Sequence, residues 1–180
     1  MTANPLQYLA QAELIHSEQA VNQAISGMAE QLSRDYATKS PVVLCVMGGA
    51  LFFTGQLLPK LQFPLELDYV QASRYQDGTE GKMLKWVVKP KQNIKNRNVL
   101  ILDDILDEGI TLHAIVEQCR LLGASEIKTA VLVEKNLSKN KPIQANYVGL
   151  SVPNRYVFGC GMDVYGWWRN VPAIYALNNA

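Results

Sequence analysis

Three short runs made almost wholly of apolar residues, PVVLCVM at 41–47, VLIL at 99–102 and TAVLV at 129–133, constrain this chain more than any other feature. None alternates apolar with polar residues, so each reads as a strand buried on both faces rather than one with a wet side. Helical spacing lies before and between them. Ala20, Val21, Ala24, Ile25, Met28, Ala29 and Leu32 recur at steps of three and four, and Ser17 is placed to cap the helix that they predict from Ser17 to Tyr36. ALFFTGQLLPKL, which follows Gly48 and Gly49, is helical in the same way, as is Thr111 to Leu122, stopped by Gly123. Leu65 to Ala72 reads as a further strand, and the polar stretch from Ser73 to Lys85, with Gly78 and Gly81, as a long mobile loop of the kind that is often functional. Strands alternating with helices predict an α/β fold, a doubly wound parallel sheet flanked by helices. Such sheets bind ligands beyond the carboxyl ends of their strands.

The 180 residues show no composition shift, repeat or low-complexity tract, so one domain covering 1–180 is expected. A formal net charge of +1 gives no electrostatic reason to expect nucleic acid, and a small-molecule ligand is the better expectation. Cys45, Cys119 and Cys160 are widely spaced among apolar neighbours, which suits buried thiols in a reducing, cytoplasmic setting. The first residues have neither the basic start nor the apolar stretch of a signal peptide. Ser40 to Pro59 carries no charged side chain and is nearly long enough to cross a bilayer. Pro41, Gly48, Gly49, Thr54, Gly55 and Gln56 break it up, however, and strand, glycine turn and helix account for all of them, so no membrane association is expected.

The segment VLILDDILDEGIT sets Asp103, Asp104, Asp107 and Glu108 within six positions at the end of a buried strand, just before a helix that Gly109 and Thr111 help to start. Clustered acids repel one another, and the arrangement is tolerable where it meets a cation, hydroxyl donors or a proton to be moved. An acidic first turn favoured by the helix dipole is the plain alternative.

An apolar strand, two acids, two apolar residues and then Asp-x-Gly-x-Thr resembles the phosphoribosyl-pyrophosphate motif of type I phosphoribosyltransferases. Met47 to Gly49, Ser73-Arg74-Tyr75, Lys135, VPNRYVFG at 152–159 and Met162-Asp163 with Arg169 follow in the order seen in hypoxanthine-guanine phosphoribosyltransferases. The resemblance covers Pro41 to Leu177 and implies the type I fold with a small hood for the purine base. It implies a Mg²⁺-dependent transfer of the phosphoribosyl group from 5-phosphoribosyl-1-pyrophosphate to a 6-oxopurine. Asp103 and Asp104 would accept hydrogen bonds from the ribose hydroxyls and lie near the Mg²⁺ held by pyrophosphate and sugar, while Asp163 would approach the purine 2-position and a second Mg²⁺. Residues 107–111, that is Asp107, Glu108, Gly109, Ile110 and Thr111, would wrap the 5-phosphate with backbone N–H groups at a helix N-terminus. Asp107 would be the general base at the purine imidazole ring. Lys135 would donate to the exocyclic O6, Tyr156 would stack on the purine, Val157 would read its edge through the backbone, and Arg155 would lie near the base. Gly48, Gly49 and Arg169 would hold pyrophosphate, while Ser73, Arg74 and Tyr75 would sit on a loop that closes over the centre.

Some positions depart from the family's usual residues. Met47 stands where many relatives have lysine, Asp103 where glutamate is commoner, Arg155 where lysine is common, and Glu108 and Ile110 where hydroxyl and lysine side chains are usual. A carboxylate aimed at a phosphate would weaken binding, so the Glu108 side chain is expected to point away. Three other readings remain open: a xanthine-preferring transferase, a non-catalytic RNA-binding regulator of the same fold, and a phosphoacceptor receiver domain. Trp167 and Trp168 cap the core or form a subunit contact, and the expectation is an interface in a homo-oligomer, dimer or tetramer.

Overall fold

The computed structural model describes residues 4–74 and 84–178. In chain order the elements are α1 (Pro5–Ala10), β1 (Glu13–His16), α2 (Glu18–Asp35), β2 (Val42–Val46), α3 (Leu51–Leu57), a 3₁₀ turn (Leu58–Lys60), β3 (Glu66–Arg74), β4 (Leu84–Val88), β5 (Asn98–Leu106), α4 (Ile110–Leu121), β6 (Glu126–Lys135), β7 (Tyr147–Val152), β8 (Val157–Phe158) and β9 (Ile174–Ala176). Ser17 caps α2, its hydroxyl accepting from the Ala20 amide at 3.3 Å, as the sequence predicts.

The larger sheet has the order β4-β3-β2-β5-β6-β7. All its pairs are parallel except β3 with β4, which are antiparallel. Of the loop expected from Ser73 to Lys85, the ends are strand residues, Ser73 opposite Lys85 and Arg74 opposite Leu84, and 75–83 lie outside the described residues. Every residue of β2 is buried, as is Val99 to Asp103 of β5, which is why their sequences lack alternation. One core layer joins the inward face of α2, with Val21, Ile25, Met28 and Leu32, to Phe53, Leu57, Leu100 and Leu132. The other sets Ile115, Val116 and Cys119 of α4 against Leu44, Ile101 and Val131. Helices therefore cover both faces, and the doubly wound α/β expectation holds.

β1, β9 and β8 form a separate antiparallel sheet built from the two ends of the chain. This is the hood, with Phe158, Val164 and Val171 at its centre and Tyr8, Leu9 and Trp168 packed against them. The two tryptophans divide: Trp168 donates its indole N–H to the Pro5 carbonyl at 2.6 Å, whereas Trp167 is 56% exposed. The three cysteines are buried and free, and burial pushes the Cys119 and Cys160 thiols up to about 11 and about 12. Among the described residues no helix is long and apolar enough to cross a membrane.

The ends of β5 and α4 also differ from the sequence reading. The β5 ladder continues through both acids to Leu106, because its parallel partner β6 remains in register as far as Leu106 opposite Glu134. Asp103 and Asp104 are thus strand residues, not part of a turn. Helix α4 is followed by Leu122 as its cap, and Gly123, at φ 84°, takes the left-handed position one residue later.

Candidate active site

The carboxyl ends of β2, β5 and β6 open into two cavities. The first, about 310 Å³, is lined by Gly48 and Gly49 after β2, by residues 103–109 with Thr111 and Leu112, and by Arg169 of the hood. The second, about 250 Å³, lies between β5, Lys135 at the end of β6, and Tyr156, Val157, Met162 and Asp163 of the hood. Asp104, Ile105 and Asp107 border both, so the cavities adjoin across the end of β5.

Asp103 is only 8% exposed and Asp104 is its direct neighbour. Burial, and for Asp103 the charge of Asp104 as well, pushes both carboxyls above the usual carboxylate range; Arg169 offsets part of this at Asp104. Neighbouring amides donate to both: Asp103 Oδ1 accepts from the Asp104 amide at 3.0 Å, and Asp104 Oδ1 accepts from the Ile105 amide at 2.9 Å. Among the described residues, no three His, Cys, Asp or Glu side chains group so as to hold a metal unaided.

Past Leu106 the chain turns through Gly109, whose φ of 79° is a left-handed conformation that glycine tolerates, and enters α4. The start of this 12-residue helix, with Gly109, Thr111 and Leu112, lines the first cavity. Lys135 Nζ donates to Asp107 Oδ2 at 2.7 Å, with the lysine side chain only 12% exposed. Glu108 forms an ion pair with Lys139 at 2.6 Å, in the segment after β6, and also borders the first cavity.

The hood closes on the same region. Arg169 Nη1 donates to the Gly161 carbonyl at 2.7 Å, and its Nη2 pairs with Asp163, whose Oδ2 also accepts from the Gly166 amide at 2.7 Å. Tyr156 stacks on Tyr165 with centroids 5.7 Å apart, while bordering the second cavity.

Of the residues singled out in the sequence, the structure brings together Gly48, Gly49, Asp103, Asp104, Asp107, Glu108, Gly109, Thr111, Lys135, Tyr156, Val157, Asp163 and Arg169. It does not bring Arg155 to either cavity. That guanidinium pairs with Glu13 and donates to the Leu177 carbonyl at 3.0 Å and to Asn178 Oδ1 at 3.2 Å, tying the hood's edge together. Ile110 starts α4 without lining either cavity. Ser73 and Arg74 end β3, but their side chains and all of Tyr75 lie outside the described residues. The sequence reading missed Lys139 and Lys141, whose run KNLSKNK has no periodicity that would have distinguished them from a solvated loop.

The family model for the phosphoribosyl transferase domain matches residues 11–165. The chain belongs to that family. It is 32% identical over 169 residues to the hypoxanthine-guanine-xanthine phosphoribosyltransferase of Tritrichomonas foetus, covering 93% of this chain and 92% of that one. It is also 32% identical to the bifunctional protein TilS/HprT of Listeria innocua, spanning 90% of this chain but only 25% of that protein's length. The structure resembles a crystal structure of a hypoxanthine phosphoribosyltransferase from Staphylococcus aureus with a TM-score of 0.89 and 27% identity, covering 99% of this chain and 96% of the other. The type I fold and its hood follow. Family membership leaves the receiver-domain reading without support, and relatives whose names are those of transferases do not favour the RNA-binding one.

Proposed function

We propose that this phosphoribosyltransferase acts in purine salvage, joining hypoxanthine or guanine to 5-phosphoribosyl-1-pyrophosphate to give IMP or GMP and pyrophosphate. The observation that carries the proposal is the Lys135–Asp107 pair, 2.7 Å apart, on the border between the two adjoining cavities. A 6-oxopurine presents an acceptor at O6 and an acidic proton on its imidazole ring. Lys135 can donate to the former and Asp107 can take the latter, whereas adenine offers a donor where Lys135 also donates.

The larger cavity suits the activated sugar. Its glycine turn, Gly48 and Gly49, and Arg169 fit the pyrophosphate, the α4 N-terminus fits the 5-phosphate, and Asp103 and Asp104 fit the ribose hydroxyls. The purine nitrogen forms its bond to C1 of ribose as the bond from C1 to pyrophosphate breaks, and Asp107 accepts the proton the purine loses. Holding both reactants across the end of β5 removes most of the entropic barrier to their meeting. Two adjacent carboxyls pushed up by burial are a hard-oxygen donor set that a divalent cation stabilises, so Asp103 and Asp104, with Asp163 nearby, would hold Mg²⁺ through the substrate. When bound, Mg²⁺ supplies neutralisation of the charge that departs with pyrophosphate.

Purified protein mixed with Mg²⁺, phosphoribosyl pyrophosphate and each of hypoxanthine, guanine, xanthine and adenine tests this, with nucleotide formation followed by ultraviolet absorbance. Product from hypoxanthine or guanine is expected, with kcat lowered about 10²- to 10⁴-fold in Asp107→Asn. No product from any base would overturn the reaction, and full activity of the variant would overturn the role of Asp107. The name of the Tritrichomonas relative includes xanthine, so turnover of xanthine in preference to the other bases would favour the second reading.

A further inference from the structure

Beyond Leu106 and Glu134 the parallel ladder between β5 and β6 ends. Asp107 and Lys135 are the next residue on each strand, so no backbone pairing between the two strands fixes them side by side, although their side chains must meet. Lys141, six residues after Lys135 in the segment leading to β7, spans this gap. Its ammonium donates to the Leu106 carbonyl at 3.0 Å, to the Lys135 carbonyl at 2.7 Å and to Glu134 Oε1 at 2.9 Å. All three of its donors are used, and its side chain is only 10% exposed. Two of its acceptors are the peptide carbonyl before Asp107 and the carbonyl of Lys135 itself.

We propose that Lys141 is a positioning residue for the base-binding pair: it clamps the ends of β5 and β6 so that Asp107 and Lys135 sit at hydrogen-bond distance. The assignment rests on the reaction proposed above. A buried ammonium is costly unless paired, and here its charge is met by Glu134 and by two carbonyls whose positions it then dictates. β7 already holds Lys135 opposite Val152, so without the clamp it is the end of β5 at Asp107 that is free to drift relative to Lys135, and displacements of an ångström at reacting groups are enough to slow a bimolecular transfer strongly. The sugar-phosphate side should be affected less than the base, because Gly48, Gly49, Asp103, Asp104 and Arg169 are not among the groups that Lys141 touches, and of the 5-phosphate loop only its first residue, Asp107, adjoins a carbonyl that Lys141 holds.

Steady-state kinetics on the wild type, Lys141→Met and Lys141→Met/Glu134→Gln tests the clamp, the double variant removing the charge that the first would strand. For both variants kcat is expected to fall about tenfold or more and the KM for hypoxanthine to rise severalfold, with the KM for phosphoribosyl pyrophosphate kept within about twofold. Base kinetics unchanged in both variants would overturn the role. So would an equal loss toward both substrates, or failure of both variants to fold, since either makes Lys141 a general structural residue. An inactive wild type would overturn the reaction and this role with it, whereas an active wild type with indifferent variants would overturn the role of Lys141 alone.

Discussion

Gly49 and Asp104 approach so closely that a β-carbon on the glycine would lie 1.8 Å from the carboxylate Oδ2 of Asp104. The neighbouring Gly48 has nothing within 4 Å of the same position. The two glycines of the turn are therefore not equivalent: the first has open space, and the second is fitted against a strand carboxylate. Gly49→Ala is expected to displace Asp104 and raise the KM for phosphoribosyl pyrophosphate by roughly 10²-fold, with a much smaller rise in Gly48→Ala. Equal effects of the two substitutions in an initial-rate assay would contradict the steric account.

The Lys135–Asp107 pair makes a prediction about base choice. A charged donor to O6 contributes about 1.5–3 kcal/mol, so Lys135→Met is expected to raise the KM for hypoxanthine by roughly 10- to 100-fold while leaving that for phosphoribosyl pyrophosphate nearly unchanged. Discrimination against adenine should narrow, since the variant no longer sets a donor against a donor. Competition assays with the two bases measure this directly, and preserved discrimination would move the selecting contact elsewhere in the hood.

Asp103 gives a test that does not depend on catalysis. Burial first, then the charge of Asp104, pushes its carboxyl well above the usual range. A folded state that holds the proton more tightly than the unfolded chain is favoured fully below the unfolded value, near about 3.9, and loses that advantage as pH rises through the folded value. Asparagine cannot ionise and is spared the loss. Asp103→Asn without substrate or metal is therefore expected to melt above the wild type at pH 7, by about 2–4 °C for each kcal/mol relieved, and the gap should close as pH falls toward about 4. Calorimetry across that range checks it, and parallel melting curves at every pH would mean that the native carboxyl carries no such cost.

How far the sequence discloses this site depends on the residue. The β2 and β5 runs are legible because burial on both faces removes alternation, and the acids after Leu102 are legible because four carboxyl groups at a strand's end need a reason. Their place inside the ladder is not legible, since it depends on β6 continuing in register to Glu134, which only pairing reveals. The hood is hidden for a similar reason. β1 and β9 pair Glu13 with Ala176 across almost the whole chain, and strands of four and three residues carry too little pattern to announce themselves. Lys141 is the extreme case. In the sequence it is one lysine in a polar connection, and only the approach of two carbonyls from different strands gives it a role.

The departure at residue 108 leads to the last prediction. Backbone N–H groups at the start of α4 favour an anion, yet Glu108 brings a negative charge to the same turn, and Lys139 pairs with it at 2.6 Å. Lys139 is 62% exposed, so the pair should contribute little to stability, about 0.2–1 kcal/mol. Its effect on binding is a separate matter, because a carboxylate beside the phosphate site that loses the Lys139 cation repels the substrate more strongly whether or not the pair stabilises the fold. Lys139→Ala is expected to raise the KM for phosphoribosyl pyrophosphate about two- to fivefold at low ionic strength, and less at high salt, where screening shortens the reach of the charge to about 3 Å. Adding Glu108→Gln to that variant should restore the KM, because it removes the charge that Lys139 had neutralised. A double variant as impaired as Lys139→Ala alone would show instead that the lysine acts on the substrate directly.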